Sequence, residues 1–282
     1  MSQPAAEVDL TVADVDRLIA MQHPGLRGRL HQAAHGWDNE VFRLGEDLAV
    51  RLPRREAAAR LIEHEQRWLP ELGPRLPVPT PVPVAVGRPQ GHYRWSWSIV
   101  PWFDGRRLID LAPHDRDRFA EELAAVLAAL HVAAPPDAPH NPVRGVPLHE
   151  RDAVVRARLM ELPELVSVWT DSVSAPDWDR GPVWLHGDLH PANVIAGETG
   201  LAAVIDFGDL CLGDPAGDLA VAWTTFTDAG RRRFVSALGE RYDDATWRRA
   251  RGWAVSLATL MRDSPDPGMR AMSSHTVGQL LI

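Results

Sequence analysis

The sequence contains no lysine; every strong cation among its 30 basic side chains is arginine. Any phosphate clamp built by this chain must therefore use guanidinium groups or backbone N–H groups. A single cysteine, Cys211, excludes an intrachain disulfide framework and a multi-cysteine zinc site. No stretch approaches the ~18 unbroken apolar residues of a membrane span. The first residues, MSQPAAEVDLTVADVDRLI, carry early acids and lack the basic-then-apolar pattern of a secretory leader. These absences predict a soluble, cytoplasmic protein with no membrane partner. A formal net charge of −8 disfavours nucleic acid as a partner, because neutralising phosphates needs a basic face. Low-complexity runs and internal repeats are also missing.

What is present is a chain of 282 residues with 45% apolar content, enough for one large domain or two lobes. Thr11 caps a predicted helix over 9–22, with Leu10, Val15, Leu18 and Ile19 at helical spacing. Strands are predicted over 39–44 and 47–52 around a Gly45-Glu46 turn, then a helix over 54–72. Pro77, Pro79, Pro81 and Pro83 force an extended stretch, followed by a strand over 93–100. Pro101-Trp102-Phe103-Asp104-Gly105 reads as a connector. Beyond it, Phe119, Leu123, Val126, Leu127 and Leu130 mark one face of a buried helix. After a proline-rich loop (135–147), short strands are predicted over 183–185, 194–195 and 202–205. Asp214-Pro215 then opens a helical remainder in which Trp223, Phe226, Phe234, Trp247 and Trp253 are the packing anchors.

The chemistry-bearing segment is His186-Gly187-Asp188-Leu189-His190-Pro191-Ala192-Asn193, followed after a Gly-rich turn by Ile205-Asp206-Phe207-Gly208. Three polar groups, Asp188, Asn193 and Asp206, interrupt apolar strands. Pairing of the two strands after Pro191 would bring Asn193 and Asp206 together, an oxygen pair suited to Mg²⁺ on a nucleotide. Asp188, on the preceding loop, is placed to accept a proton from an attacking hydroxyl. The competing readings are turn-capping Asx residues, or a zinc pair at His186 and His190. Gly187 and Pro191 oppose the helix that such a pair requires.

This string resembles the catalytic loop and metal-binding motif of aminoglycoside phosphotransferases, distant relatives of protein kinases. Gly187 and the following Gly213-Asp214-Pro215-Ala216-Gly217-Asp218 favour the small-molecule branch, and Phe207 leads too quickly to Asp214 to leave room for an activation segment. The resemblance implies an α+β, two-lobed, protein-kinase-like fold. Residues 1–101 would form a small β-rich nucleotide-binding lobe, 102–105 a hinge, and 106–282 a larger helical lobe with the catalytic loop and acceptor site. It further implies ATP (or GTP) and Mg²⁺ as cofactors. Asp188 would be the catalytic carboxylate and Asn193 and Asp206 the metal ligands. His186 would brace the loop, and Asp218 would support it from behind.

A charge-by-face argument places the phosphate clamp. On the 54–72 helix the apolar stripe runs Ala58, Leu61, Ile62, Leu69 and Leu72, so Glu65 points inward while Glu63 points away. A buried carboxylate needs a cationic partner, and Arg51 at the end of the preceding strand is the candidate. The pair resembles the kinase-fold ion pair, with arginine where the family usually has lysine; a purely structural ion pair is the alternative. The expected phosphate-covering segment, Gly36-Trp37-Asp38-Asn39, has a single glycine and no G-x-G-x-x-G. Val100 and Trp102 fall on the hinge expected to meet the adenine, although Trp102 also suits core packing. The acceptor is a small-molecule hydroxyl of open identity, and oligomeric state is open too. Asp228, Glu240, Asp243, Asp244, Asp263 and Asp266 would suit the ammonium groups of an aminoglycoside. The tryptophans would suit a macrolide, and a metabolic alcohol (a sugar, choline or homoserine) fits equally. The reading from another class is a catalytically silent nucleotide-binding protein.

Overall fold

A computed structural model describes residues 5–35 and 38–282. Helix α1 (Val12–Gln22) opens on Thr11, whose hydroxyl accepts from the Asp14 N–H while the Asp14 carboxylate accepts from the Thr11 N–H. Strands β1 (Leu30–His35), β2 (Asn39–Leu44), β3 (Leu48–Pro53), β4 (Ala85–Gly87) and β5 (Trp97–Pro101) pair antiparallel in the order β1-β2-β3-β5-β4. Phe42, Val50, Leu52, Trp97 and Ile99 of this sheet pack with Val15, Leu18 and Ile19 of α1 into one core.

Helix α2 (Glu56–Leu72) starts two residues later than the periodicity suggests, because Arg55 is extended, with φ −155° and ψ 157°. Its first half lies over the sheet. Trp68, Leu69 and Leu72 in its second half belong instead to the core of the helical part, where the Trp68 ring meets Trp184 edge-on at 4.9 Å. One rigid helix therefore joins the two cores. The strand expected over 93–100 is shorter, since Gln90 and Tyr93 bridge across a turn before β5 begins.

Residues 102–105 link β5 to the two-residue strand β6 (Arg106–Arg107). Beyond it come α3 (Pro113–Arg116), α4 (Ala120–Leu130), α5 (Asp152–Leu159) and α6 (Val166–Val173). Next are β7 (Val183–Leu185), β8 (Val194–Ala196), β9 (Leu201–Val204) and β10 (Cys211–Gly213). The chain ends in α7 (Ala216–Leu219), α8 (Val221–Thr225), α9 (Asp228–Leu238), α10 (Asp244–Met261) and α11 (Pro267–Leu280). The α4 face read from the sequence, Phe119 to Leu130, is buried, as are Trp223, Phe226, Phe234 and Trp253. The result is the two-part α+β architecture of the kinase-like fold, a small sheet with two helices against a larger helical body. β6 pairs with β8, and β8 with β9, so the hairpin carrying Asn193 and Asp206 lies beside the link between the two parts. Among the described residues no helix is long and apolar enough to cross a membrane.

Candidate active site

Strand β7, paired with β10, delivers the His186-Gly187-Asp188 loop at its end. Gly187 has φ +83°, and a Cβ there would lie 2.2 Å from the Asp209 carbonyl oxygen. Only glycine fits this turn. Behind the loop, the buried Asp218 carboxylate accepts from the His186 N–H at 2.7 Å and the Gly187 N–H at 3.0 Å. His131 Nε2 sits 3.1 Å from the same carboxylate, and its Nδ1 is 2.7 Å from the Tyr242 hydroxyl. Burial pushes the Asp218 carboxyl up, but the His131 contact, the neighbouring His186 imidazole and the backbone donor outweigh it and hold it below the usual range.

His186 ties the loop to the hairpin. Its Nδ1 accepts from the Asp188 N–H at 3.3 Å, and its Nε2 faces the Ile205 carbonyl at 3.0 Å. Its ring lies 4.5 Å from that of Phe207. Both imidazole nitrogens are thus occupied by backbone. His190 also turns to the loop, with Nδ1 accepting from the Ala192 N–H and Nε2 3.4 Å from Asp188 Oδ2. Among the described residues no three His, Cys, Asp or Glu side chains form a metal-holding group, which removes the zinc reading.

Asp188 meets a cation that the sequence reading missed. Arg144 Nη2 donates to its Oδ1 at 2.5 Å, with the two side chains 20% and 24% exposed. Burial pushes the Asp188 carboxyl up, but Arg144 first and His190 second overcome this and hold it far below the usual carboxylate range. Arg144 comes from the proline-rich loop, where no periodicity marks it and its partner is 44 residues away.

The β8–β9 hairpin brings the other two groups together: the Ile205 N–H donates to the Asn193 carbonyl at 2.9 Å. Asn193 is buried, and its Nδ2 donates to the Asp188 carbonyl at 2.9 Å, leaving Oδ1 as its unused oxygen. Asp206 is the one non-glycine residue with positive φ, +64°, among the described residues. That backbone is costly for most side chains and tolerated best by Asx. It leaves the carboxylate 54% exposed, where Arg51 Nη2 reaches Oδ1 at 3.1 Å. Asn193 Oδ1 and Asp206 Oδ2 are hard oxygen donors. That set fits a Mg²⁺ carried on nucleotide phosphates, which takes only one or two protein ligands.

Arg51 closes the constellation from the other side. Its Nη1 donates to both Glu65 oxygens, at 2.7 and 2.6 Å, and Glu65 is 2% exposed while Glu63 faces solvent. Burial disfavours the charged guanidinium, yet Glu65 and Asp206 raise its pKa above the ordinary value. The Phe207 backbone also hydrogen-bonds Glu65. Arg51 is thus the physical bridge between α2 and the Asp206 segment. At the link, Val100 is buried in β5, opposite Ala49. Trp102 is half-buried, its backbone N–H donates to the Asp47 carbonyl, its indole N–H to Asp104, and Arg43 lies 4.7 Å over its ring. Gly36 and Trp37, half of the expected phosphate-covering segment, lie outside the described residues.

With this geometry in hand, comparison with known proteins decides the family. A family model described as "Phosphotransferase enzyme family" matches residues 29–253. The chain belongs to that family. Among solved structures, this phosphotransferase is similar to aminoglycoside 2'-phosphotransferase-IIIa in its GDP complex, with TM-score 0.69 and 19% identity over 96% of this chain and 99% of that one. It is also similar to macrolide 2'-phosphotransferase MphH from Brachybacterium faecium, with TM-score 0.65 and 20% identity over 94% and 97% of the two chains. A type I macrolide 2'-phosphotransferase gives TM-score 0.62 and 22% identity over 95% and 98%. Identities this low establish a shared fold. A search of the curated proteins finds no match.

Proposed function

We propose that this phosphotransferase moves the γ-phosphoryl group of ATP, or of GTP, to a hydroxyl of a small molecule in the cytoplasm. The observation that carries the reading is the Arg51 guanidinium, which touches both Glu65 on α2 and Asp206 on the hairpin. That contact supports reading Arg51 as a phosphate clamp beside the metal carboxylate Asp206.

In this reading Arg51, braced by Glu65, holds the nucleotide phosphates. Val100 and Trp102 border the adenine. Asn193 and Asp206 hold Mg²⁺, which when bound neutralises charge on the phosphate oxygens. Asp188 accepts a hydrogen bond from the acceptor hydroxyl and aims its oxygen at the γ-phosphorus. A new O–P bond forms while the bond from phosphorus to the ADP bridging oxygen breaks, and the hydroxyl proton departs. Asp188 orients the hydroxyl and takes its proton as the new bond forms. Asp218 and His186 hold the loop that presents it.

The test is ATP and GTP consumption with Mg²⁺ across aminoglycosides, macrolides and small metabolic alcohols, beside Asp188→Ala. Acceptor-dependent turnover that disappears in the variant supports the reading. Nucleotide binding without turnover by any acceptor points instead to a silent binder.

A further inference from the structure

Three of the acids that would suit the ammonium groups of an aminoglycoside, Asp228, Asp243 and Asp266, are engaged within the helical body. Asp228 pairs with Arg231 and Arg232 at 2.8 and 2.7 Å. Asp243 caps α10 through the Thr246 N–H and pairs with Arg180. Asp266 caps α11. The catalytic carboxylate itself is met by Arg144 on Oδ1 and by His190 near Oδ2.

Arg144 is held there by its backbone. Asn141 Oδ1 accepts from the Val143 and Arg144 N–H groups, while Asn141 Nδ2 donates to Asp209 at 2.7 Å. The Leu212 N–H donates to Pro139 and the Asp214 N–H to Gly145. Gly145, at φ +65°, packs where a Cβ would lie 2.7 Å from Leu185. The loop is thus pinned to β7 and β10 on both sides of Arg144.

Two donors near Asp188 have no partner. Arg144 Nε and Trp253 Nε1 are both buried without a hydrogen bond, and Trp253 is 4% exposed. Both side chains line the cavity beside Asp188 that, as closed, has room for one water-sized group (about 10 Å³). Orphaned N–H donors in a cavity call for an oxygen.

Arg144 Nη2 holds Asp188 Oδ1 at 2.5 Å, so an acceptor hydroxyl that takes this oxygen competes with Arg144. Displacing Arg144 leaves a mostly buried guanidinium that needs a new anion. We propose that the acceptor supplies it, carrying a carboxylate beside its reacting hydroxyl, and that Arg144 selects such acceptors. The exchange conserves partners: the acceptor carboxylate replaces Asp188 on Arg144, and the acceptor hydroxyl replaces Arg144 on Asp188. A carboxylate matches the guanidinium fork with two parallel hydrogen bonds. An acceptor bearing an ammonium at that position leaves Arg144 unpaired and adds a like charge. The inference rests on the phosphotransferase reading above.

A matched trio tests it: glycerate, glycerol and 3-aminopropane-1,2-diol, which share a hydroxyl scaffold and differ in charge. Each is titrated into the enzyme with Mg²⁺ and ATP, scoring both phosphorylation of the compound and inhibition of background ATP hydrolysis by water. Glycerate is expected to act at about tenfold lower concentration than the ammonium analogue, the factor one good charge pair gives. Arg144→Gln is expected to abolish that preference and Arg144→Lys to retain part of it, with ATP affinity by calorimetry reporting that each variant is folded. Equal or better action of the ammonium compound overturns the inference. So does absence of any glycerate effect at tens of millimolar, or a preference unchanged in Arg144→Gln. Loss of ATP binding and hydrolysis in the wild type defeats the phosphotransferase reading itself, a result distinct from the others.

Discussion

Replacing Arg51 by alanine leaves the Glu65 carboxylate, 2% exposed, without the nitrogen that now lies 2.6–2.7 Å from both its oxygens. Breaking one side of a buried ion pair costs about 3–5 kcal/mol. A domain of ordinary stability has about 5–15 kcal/mol in total, so Arg51→Ala should lose a large part of its unfolding free energy in urea. The double variant Arg51→Met, Glu65→Leu removes both charges and fills the space with apolar atoms of similar length. Such replacements are commonly neutral or stabilising, so its unfolding free energy should return to within about 1–2 kcal/mol of wild type. Turnover separates structure from function. If Arg51 holds the phosphates, the double variant remains stable yet loses about 100- to 1,000-fold in kcat, the scale of removing one preorganised donor from a transferring group. A double variant that recovers both stability and turnover would reduce the pair to a structural ion pair. An Arg51→Ala cost below about 1 kcal/mol would refute the burial argument as well.

Three further outcomes follow from the loop. Gly187→Ala meets the Asp209 carbonyl and a left-handed backbone, and should cost about 2 kcal/mol or more in urea unfolding while lowering kcat. Asp218→Asn turns an N–H₂ toward one of its donors, His186 N–H, Gly187 N–H or His131. It should cost about 2–4 kcal/mol, and kcat should fall more than the KM for ATP changes. The pH dependence has a definite sign, since Asp188 and Asp218 are both held below the ordinary carboxylate value. Groups depressed in the folded state stabilise fully above the unfolded value of about 4 and lose that contribution as pH falls below it. The melting temperature should therefore hold down to about pH 4 and drop beneath it, less steeply in Asp218→Asn; an unchanged slope would count against the assignment.

Much of this was legible because periodicity and backbone chemistry leave marks in order along the chain. Glu65 on an otherwise apolar stripe announced a buried carboxylate, and Arg51 followed as its partner. The Gly-rich turn after Val194 announced the hairpin that gathers Asn193 and Asp206. Strand β1 left no such mark: His31, Gln32 and Ala33 are exposed, and the strand is specified by pairing with β2. Arg144 escaped for a related reason. It lies in an irregular loop, and its approach to Asp188 depends on how Asn141 and Gly145 fasten that loop to distant strands. His131 likewise left no mark in the sequence, since only packing turns it toward Asp218 and Tyr242.

The central claim is that Asn193 and Asp206 carry the metal of a nucleotide held against Asp188. Calorimetric titration of ATP with and without Mg²⁺, in wild type and in Asp206→Ala, tests it most directly. Mg²⁺ is expected to tighten ATP binding by about tenfold or more in the wild type, with that gain lost in the variant. Binding that ignores Mg²⁺, or a magnesium gain that survives Asp206→Ala, would contradict it.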